Sequence, residues 1–208
     1  MRFGVDEAGK GPVLGSMFAA CVRGDPAALP DGVADSKRLS APRREELDAA
    51  IRAAVAVGVA EIPVARIDAG NMNTLTVAAH AEAIDAAAEP GDAGLCDAGD
   101  TSESRFARRV ADDCAPDVTV DAEHGADDAD PLVAAASIVA KVARDAHVAD
   151  LAAEYGAVGS GYPGDETTRS FLREYVREHG ALPACARSSW STCADVLAAA
   201  EQSALDDF

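Results

Sequence analysis

Apolar positions along the chain fall into short strand-like runs and longer helical stretches, punctuated by Gly, Pro, Asn and Asp. Residues 2–6 and 16–23 read as two strands joined by a glycine-rich turn, a hairpin. Ser40, followed by Pro42, starts a predicted helix over 43–56, and a short strand follows at 58–63. Residues 71–88 are expected to be helical, with Asn71 and Asn73 placed to cap the start and Glu89-Pro90-Gly91 closing the end. A strand at 93–96 delivers Asp97 at its end. A helix over 101–113 takes Thr101 as its N-cap, and a strand at 116–120 leads into an acidic loop at 121–130. From Pro131 a long apolar stretch, 132–155, is predicted to be helical and buried at its start. Beyond a loop at 156–164, helices are predicted over 166–179 and 192–204. A hairpin followed by alternating helices and strands makes an α/β chain with a mixed sheet, without internal repeats or long linkers. Its main body is expected to span 1–190, leaving 191–208 as a C-terminal helix and acidic tail.

At 208 residues the chain can bury a sizeable core. It has no hydrophobic run long enough to cross a bilayer and no signal-peptide h-region, so a cytoplasmic protein without membrane partners is expected. Its five cysteines are scattered and lack metal-ligand spacing, which points away from disulfides and zinc. The charge balance changes the picture more. Net charge is −18, and Lys10, Lys37 and Lys141 are the lysines among 18 basic residues. Such a balance fits a high-salt cytoplasm, where carboxylates keep the surface hydrated and self-repulsion is screened. A GC-rich genome would enrich arginine and alanine in the same way. Acidity normally argues against a nucleic-acid partner. Molar salt, however, removes most of the electrostatic gain from phosphate contacts, and bound cations can hold a phosphate themselves.

The densest chemistry lies in Gly4-Val5-Asp6-Glu7-Ala8-Gly9-Lys10-Gly11-Pro12. Neighbouring strand residues point to opposite faces, so Asp6 and Glu7 cannot both enter one pocket from a strand that runs straight on. Ending the strand there would let the turn re-aim one of them, or let a backbone carbonyl share the task. Two hard oxygen donors beside a closely approachable backbone suit divalent cations and a phosphate, although a solvated acidic loop reads the same way. Asp97 and Asp127 also fall at element ends. Four carboxylates converging at one sheet edge would repel unless cations sat between them. Two divalent ions about 4 Å apart would suit in-line phosphodiester cleavage, with Mg2+ favoured by an all-oxygen site. With 36 acids in the chain, position alone does not single out these four.

Six segments together go further: the nine-residue run above, Asp35-Ser36-Lys37-Arg38-Leu39, Asp97-Ala98-Gly99-Asp100, Glu123-His124-Gly125-Ala126-Asp127, 136–145 and Gly159-Ser160-Gly161-Tyr162-Pro163. In order and spacing they resemble the type 2 ribonuclease H family (ribonuclease HII), in its archaeal form, from Arg2 to about Trp190. The resemblance implies a ribonuclease H-like mixed sheet flanked by helices, with a helical C-terminal part. It implies an endonuclease that cuts RNA in RNA–DNA hybrids and at lone ribonucleotides in duplex DNA, leaving 5′-phosphates. Asp6, Glu7, Asp97 and Asp127 match the family's catalytic acids, which hold two Mg2+ or Mn2+ ions. Gly9, Lys10 and Gly11 match the turn whose backbone reads the ribose 2′-OH, and Tyr162 the tyrosine that packs against the next, deoxy, sugar. Only the 2′-OH separates RNA from DNA at one site, so both assignments fit the chemistry. Two departures stand out: Lys10 replaces the usual arginine, and Gly125 stands where archaeal relatives often carry lysine.

Asp35, Ser36 and Lys37 could hold backbone phosphates or form a capped turn. Lys141, Arg144 and Asp145 share a helical face, either as a salt-bridged surface or with Lys141 reaching the substrate or the acids. His124 could shuttle protons or order its loop, whereas His80, His147 and His179 read as helix-surface residues. Trp190 reads as an anchor for the last helix. In the tail, Gln202, Leu205 and Phe208 follow the spacing of the peptide that docks on sliding clamps, a pattern a frayed terminus could also give. Two other functions stay open on the residues alone: a type 1 ribonuclease H, and a non-enzymatic acidic interaction module working through the tail.

Overall fold

β1 (Arg2–Ala8), β2 (Met17–Gly24) and β3 (Ala56–Ile62) pair antiparallel, and β4 (Ala93–Asp97) and β5 (Thr119–Glu123) add in parallel beyond β1. The strand order is β3-β2-β1-β4-β5, so β1 is central. The computed structural model describes residues 1–33 and 39–206, the side chains of 203–206 excepted. Asp35, Ser36, Lys37 and Phe208, and the side chain of Leu205, lie outside the described residues.

The helices are α1 (Ala41–Ala54), α2 (Val64–Ala69), α3 (Met72–Asp85), α4 (Glu103–Asp113), α5 (Pro131–Tyr155), α6 (Glu166–His179) and α7 (Ser191–Asp206). Pleating sends Phe3 and Val5 to one face of the sheet, where Val77, Ile84, Phe106 and Val110 of α3 and α4 cover them. On the other face Ala20 and Val22 pack with Leu47 and Ile51 of α1 and the apolar start of α5. A third cluster, including Leu14, Leu151, Leu172 and Val196, joins α6 and α7 to the end of α5 and to the turn after β1. Among the described residues no helix is long and apolar enough to cross a membrane.

α5 has the largest part in positioning polar groups near the acids. Asp130 caps it, one oxygen accepting from the N–H groups of Leu132 (2.8 Å) and Val133 (3.3 Å), and Pro131 occupies its first turn. Its start lies directly on β1, because Gly4 has no Cβ: one built there would sit 2.3 Å from Leu132 C and Val133 N. This contact carries Ser137 and Lys141 to the C-terminal end of β1.

Most predicted elements are present, with displaced ends. β1 continues to Ala8 instead of stopping at Asp6, and β5 covers Thr119–Glu123 rather than 116–120, which shortens the acidic loop. Ser102, not Thr101, is the N-cap residue of α4, while Asn71 caps α3 by accepting from the N–H of Asn73. α2 carried no sequence signal strong enough to predict it; it is a short helix starting after Pro63.

Candidate active site

β1 and β4 run parallel with Val5 opposite Cys96, so Asp6 and Asp97, one residue further along each strand, leave the sheet at the same edge. Asp97 is opposite Glu123 at the end of β5, and Asp127 follows in the 3-10 turn Ala126–Asp128. Asp97 is fixed by the N–H of Ala126, which donates to its Oδ1 at 3.0 Å. Gly125, in the left-handed conformation at φ +67°, makes that approach possible.

Re-aiming of Asp6 or Glu7 by an early strand end, one of the two routes expected, does not occur. β1 passes straight through both residues, and they leave it on opposite faces. Asp6 lies on the α5 face, where Ser137 hydrogen-bonds it and the Lys141 Nζ donates to Ser137 Oγ at 2.5 Å. Lys141 thus stands with the acids rather than in a surface ion pair. Glu7 lies on the α3 face, 2.7 Å from His80 Nε2. The two carboxylates nonetheless feel one another across the strand, the charge of Glu7 acting on Asp6. Among the described residues, no three His, Cys, Asp or Glu side chains are drawn together tightly enough to enclose an ion. Electrostatics connects the acids instead.

Burial, then the charge of Glu7 and that of Asp97, push the Asp6 carboxyl from its ordinary 3.8 up to about 7, against the pull of Ser137 and Lys141. Burial also raises Asp97, helped by Asp127 and Glu7 and opposed by the Ala126 and Gly125 N–H groups. Glu7 goes the other way: burial would raise it, but the His80 hydrogen bond and the charges of His80 and Lys10 outweigh burial. An all-oxygen set held at mutual electrostatic cost is the donor chemistry that a hard divalent cation relieves, so these residues fit such ions. The raised Asp6 has a measurable sign. Between 3.8 and about 7 the native protein binds a proton that the unfolded chain has released, so Asp6 makes stability fall as pH rises through this window. In EDTA, the melting temperature of the wild type is expected to fall more steeply from about pH 5 to about pH 8 than that of Asp6→Asn. Parallel slopes would contradict the assignment.

The turn after β1 forms the other side of the corner. Gly9 has φ +88°, and a Cβ built on Gly11 would lie 3.7 Å from Tyr162 Cε1, so the Tyr162 ring stands over the turn. Tyr162 is 45% exposed, with Arg144 over its ring at 5.2 Å. Its loop is tied to the turn through Gly161 O, which accepts from the N–H groups of Val13 (2.8 Å) and Leu14 (3.2 Å). Lys10 points back toward the acids: its Nζ donates to Gly99 O at 2.6 Å and stands 3.9 Å from Glu7 Oε1.

The structure therefore brings together Asp6, Glu7, Asp97, Asp127, the 9–11 turn, Lys141 and Tyr162. Gln202 is exposed on α7, far along the chain from that corner. Sequence reasoning placed two histidines wrongly. His80 is fully buried, edge-on to Phe106, and holds Glu7; His147 packs on Phe18 and accepts from the Ser16 N–H. The apolar neighbours Val77, Ala79, Ala81 and Ala83 were the available clue for His80. Arg187 was missed altogether. It is fully buried, and its guanidinium donates to the carbonyls of Gly9, Lys10 and Gly15. Burial, with Arg144 nearby, lowers its pKa to about 10, still protonated at neutral pH. Trp190 anchors α7 as expected, packing between two of the core clusters.

Comparison with known proteins agrees along the chain's length. The family profile described as Ribonuclease HII matches residues 3–193. A ribonuclease HII of Halobacterium salinarum is 70% identical over 210 residues, covering 100% of this chain and 99% of that protein. The crystal structure of ribonuclease H2 from Pyrococcus horikoshii superposes with a TM-score of 0.90 at 32% identity, covering 97% of this chain and 99% of that one. The ribonuclease HII in a PCNA complex from Archaeoglobus fulgidus does so at 0.83 and 36%, covering 100% of both.

Proposed function

The chain belongs to the ribonuclease HII family, endonucleolytic ribonucleases H, and from that premise we propose that it nicks duplex DNA on the 5′ side of single embedded ribonucleotides as well as cutting RNA in RNA–DNA hybrids. The observation that carries this reading is adjacency: the acids at the ends of β1 and β4 share one corner with the Gly9-Lys10-Gly11 turn and Tyr162. A phosphodiester lying over the acids would have its sugar against the turn.

Asp6, Glu7, Asp97 and Asp127 would hold two Mg2+ or Mn2+ ions. When bound, such ions neutralise phosphate charge and lower the pKa of water at the site. The chain's own residues set where the reaction happens. Backbone N–H groups of the turn bind the 2′-OH, the group that marks a ribonucleotide. The Tyr162 ring packs on the following sugar and disfavours, without excluding, a second hydroxyl there. Water adds to phosphorus, the P–O3′ bond breaks and the proton goes to O3′, leaving a 3′-hydroxyl and a 5′-phosphate. Lys10 and Lys141 provide positive charge beside the acids. Asp35, Ser36 and Lys37 would contact backbone phosphates.

The test is a DNA duplex with one embedded ribonucleotide, incubated with Mg2+ or Mn2+ in a KCl series, with and without EDTA. A single nick 5′ of the ribonucleotide, lost with EDTA, is expected. An uncut duplex alongside a cleaved RNA–DNA hybrid would overturn the single-ribonucleotide reading.

A clamp-binding role for the tail completes the proposal. Gln202, Leu205 and Phe208 have the required spacing, and the Archaeoglobus relative was solved with PCNA. Removing residues 202–208 is expected to abolish stimulation by an archaeal sliding clamp and leave basal cleavage unchanged. Retained stimulation would refute it.

A further inference from the structure

We propose that Arg187 is the positioning residue of the Gly9-Lys10-Gly11 turn, pinning its carbonyls inward so that the N–H groups of Lys10 and Gly11 face a ribose in one fixed conformation. The inference rests on the reading of that turn as the 2′-OH contact.

A turn containing two glycines has the freedom to rearrange, and freedom is poor for recognising one hydroxyl. Arg187 removes it. The fully buried guanidinium donates to Gly9 O (2.6 Å), Lys10 O (3.0 Å) and Gly15 O (2.8 Å), so one rigid fork spans both ends of the turn. In a planar trans peptide the C=O and the next N–H point in opposite directions. Holding the Gly9 and Lys10 carbonyls toward Arg187 therefore aims the Lys10 and Gly11 N–H groups away from it. Neither N–H has a hydrogen-bond partner among the described residues. Gly11 is also where the Tyr162 ring approaches.

The segment that carries Arg187 is itself held. The Arg187 N–H donates to Val13 O and the Gly15 N–H to Cys185 O, both at 2.8 Å, and Leu14 bridges Ala186. Trp190 lies 5.0 Å beneath the guanidinium, its Nε1 donating to Gly11 O at 3.4 Å. On the far side, Asp68 of α2 accepts from the N–H and hydroxyl groups of both Ser188 and Ser189. Burying a guanidinium is expensive, and hydrogen bonds to three backbone carbonyls offset that cost; an apolar side chain would leave those carbonyls without their donor. Nor could an apolar side chain fix the direction of two peptide planes.

The experiment compares the wild type with Arg187→Met and Asp68→Ala on two substrates: the single-ribonucleotide duplex, and a DNA duplex containing a short run of ribonucleotides, with cut sites mapped. Hydrogen–deuterium exchange over residues 8–15 and Mn2+ binding by electron paramagnetic resonance are read on the same samples. Arg187→Met is expected to lower kcat/KM on the single ribonucleotide on the order of 10²-fold, chiefly through KM. It should also spread the cut sites, speed exchange over 8–15 and leave Mn2+ binding intact. Asp68→Ala, which loosens the segment from outside, should change each reading in the same direction and less. A merely structural arginine would lower the amount of active enzyme without moving the cut site. Wild-type cut sites and exchange in both variants would overturn the inference while leaving the functional reading in place. Failure of the wild type to cut the single-ribonucleotide duplex would instead remove the reading it rests on. Should Arg187→Met not fold, Arg187→Lys takes its place: it keeps charge and stem but cannot span three carbonyls.

Discussion

Asp97→Asn is expected to lower cleavage about 10³-fold or more while making the metal-free protein melt at a higher temperature. The two effects have one cause. Asn has the shape of Asp, and its Oδ1 can still accept from the Ala126 N–H, so the turn before α5 keeps its anchor. What disappears is a negative charge that burial and the charges of Asp127 and Glu7 already disfavour, and that helps raise Asp6. Removing it relieves the folded state wherever Asp97 would be ionised, which is the usual exchange between stability and activity at a strained site. Mn2+ affinity should fall together with activity. Cleavage rates, a Mn2+ titration and melting curves in EDTA check the prediction. Lost activity with an unchanged or lowered metal-free melting temperature would mean that Asp97 acts through packing and not through charge.

What could be read from the residues alone depended on how local the cause was. α6 lies at its predicted limits, and what fixes them is local: Asp165 caps it and Gly180 ends it in the left-handed region. The acids were legible as chemistry but not as geometry. No local rule says that β1 continues through Asp6 and Glu7; the strand does so because β2 pairs along its whole length, Ala8 opposite Phe18. The resemblance supplied which acids belong together; the parallel pairing of β1 with β4 supplies how. His80 and Arg187 were illegible for a related reason. Each is polar, each is buried, and each has its partners 73 or more residues away in the chain. Periodicity reports which face of an element is apolar, and it is silent about a single polar residue that the fold satisfies at long range.

Gly4→Ala, a change of one methyl group away from the acids, is expected to be among the most damaging single substitutions. On propensity alone alanine should help, because glycine inside a strand costs about 0.5–1 kcal/mol relative to it. The structure reverses the sign. The new Cβ would lie 2.3 Å from Leu132 C and Val133 N and 2.8 Å from Leu132 Cβ. Two of these atoms are helix backbone, which cannot rotate aside, so the start of α5 must lift from β1. Overpacking of this kind costs about 1–3 kcal/mol and more where the backbone must move; at about 3 kcal/mol the melting temperature falls by about 10 °C in a protein of this size. Activity should fall too, because the same helix brings Ser137 and Lys141 over Asp6 and comes directly after the turn bearing Asp127. Gly164→Ala is the control: nothing lies within 4 Å of a Cβ there, and that change should be neutral or slightly stabilising. If Gly4→Ala melted with the control and cleaved like the wild type, α5 would not rest on β1 at Gly4, and the route by which Lys141 reaches the acids would have to be redrawn.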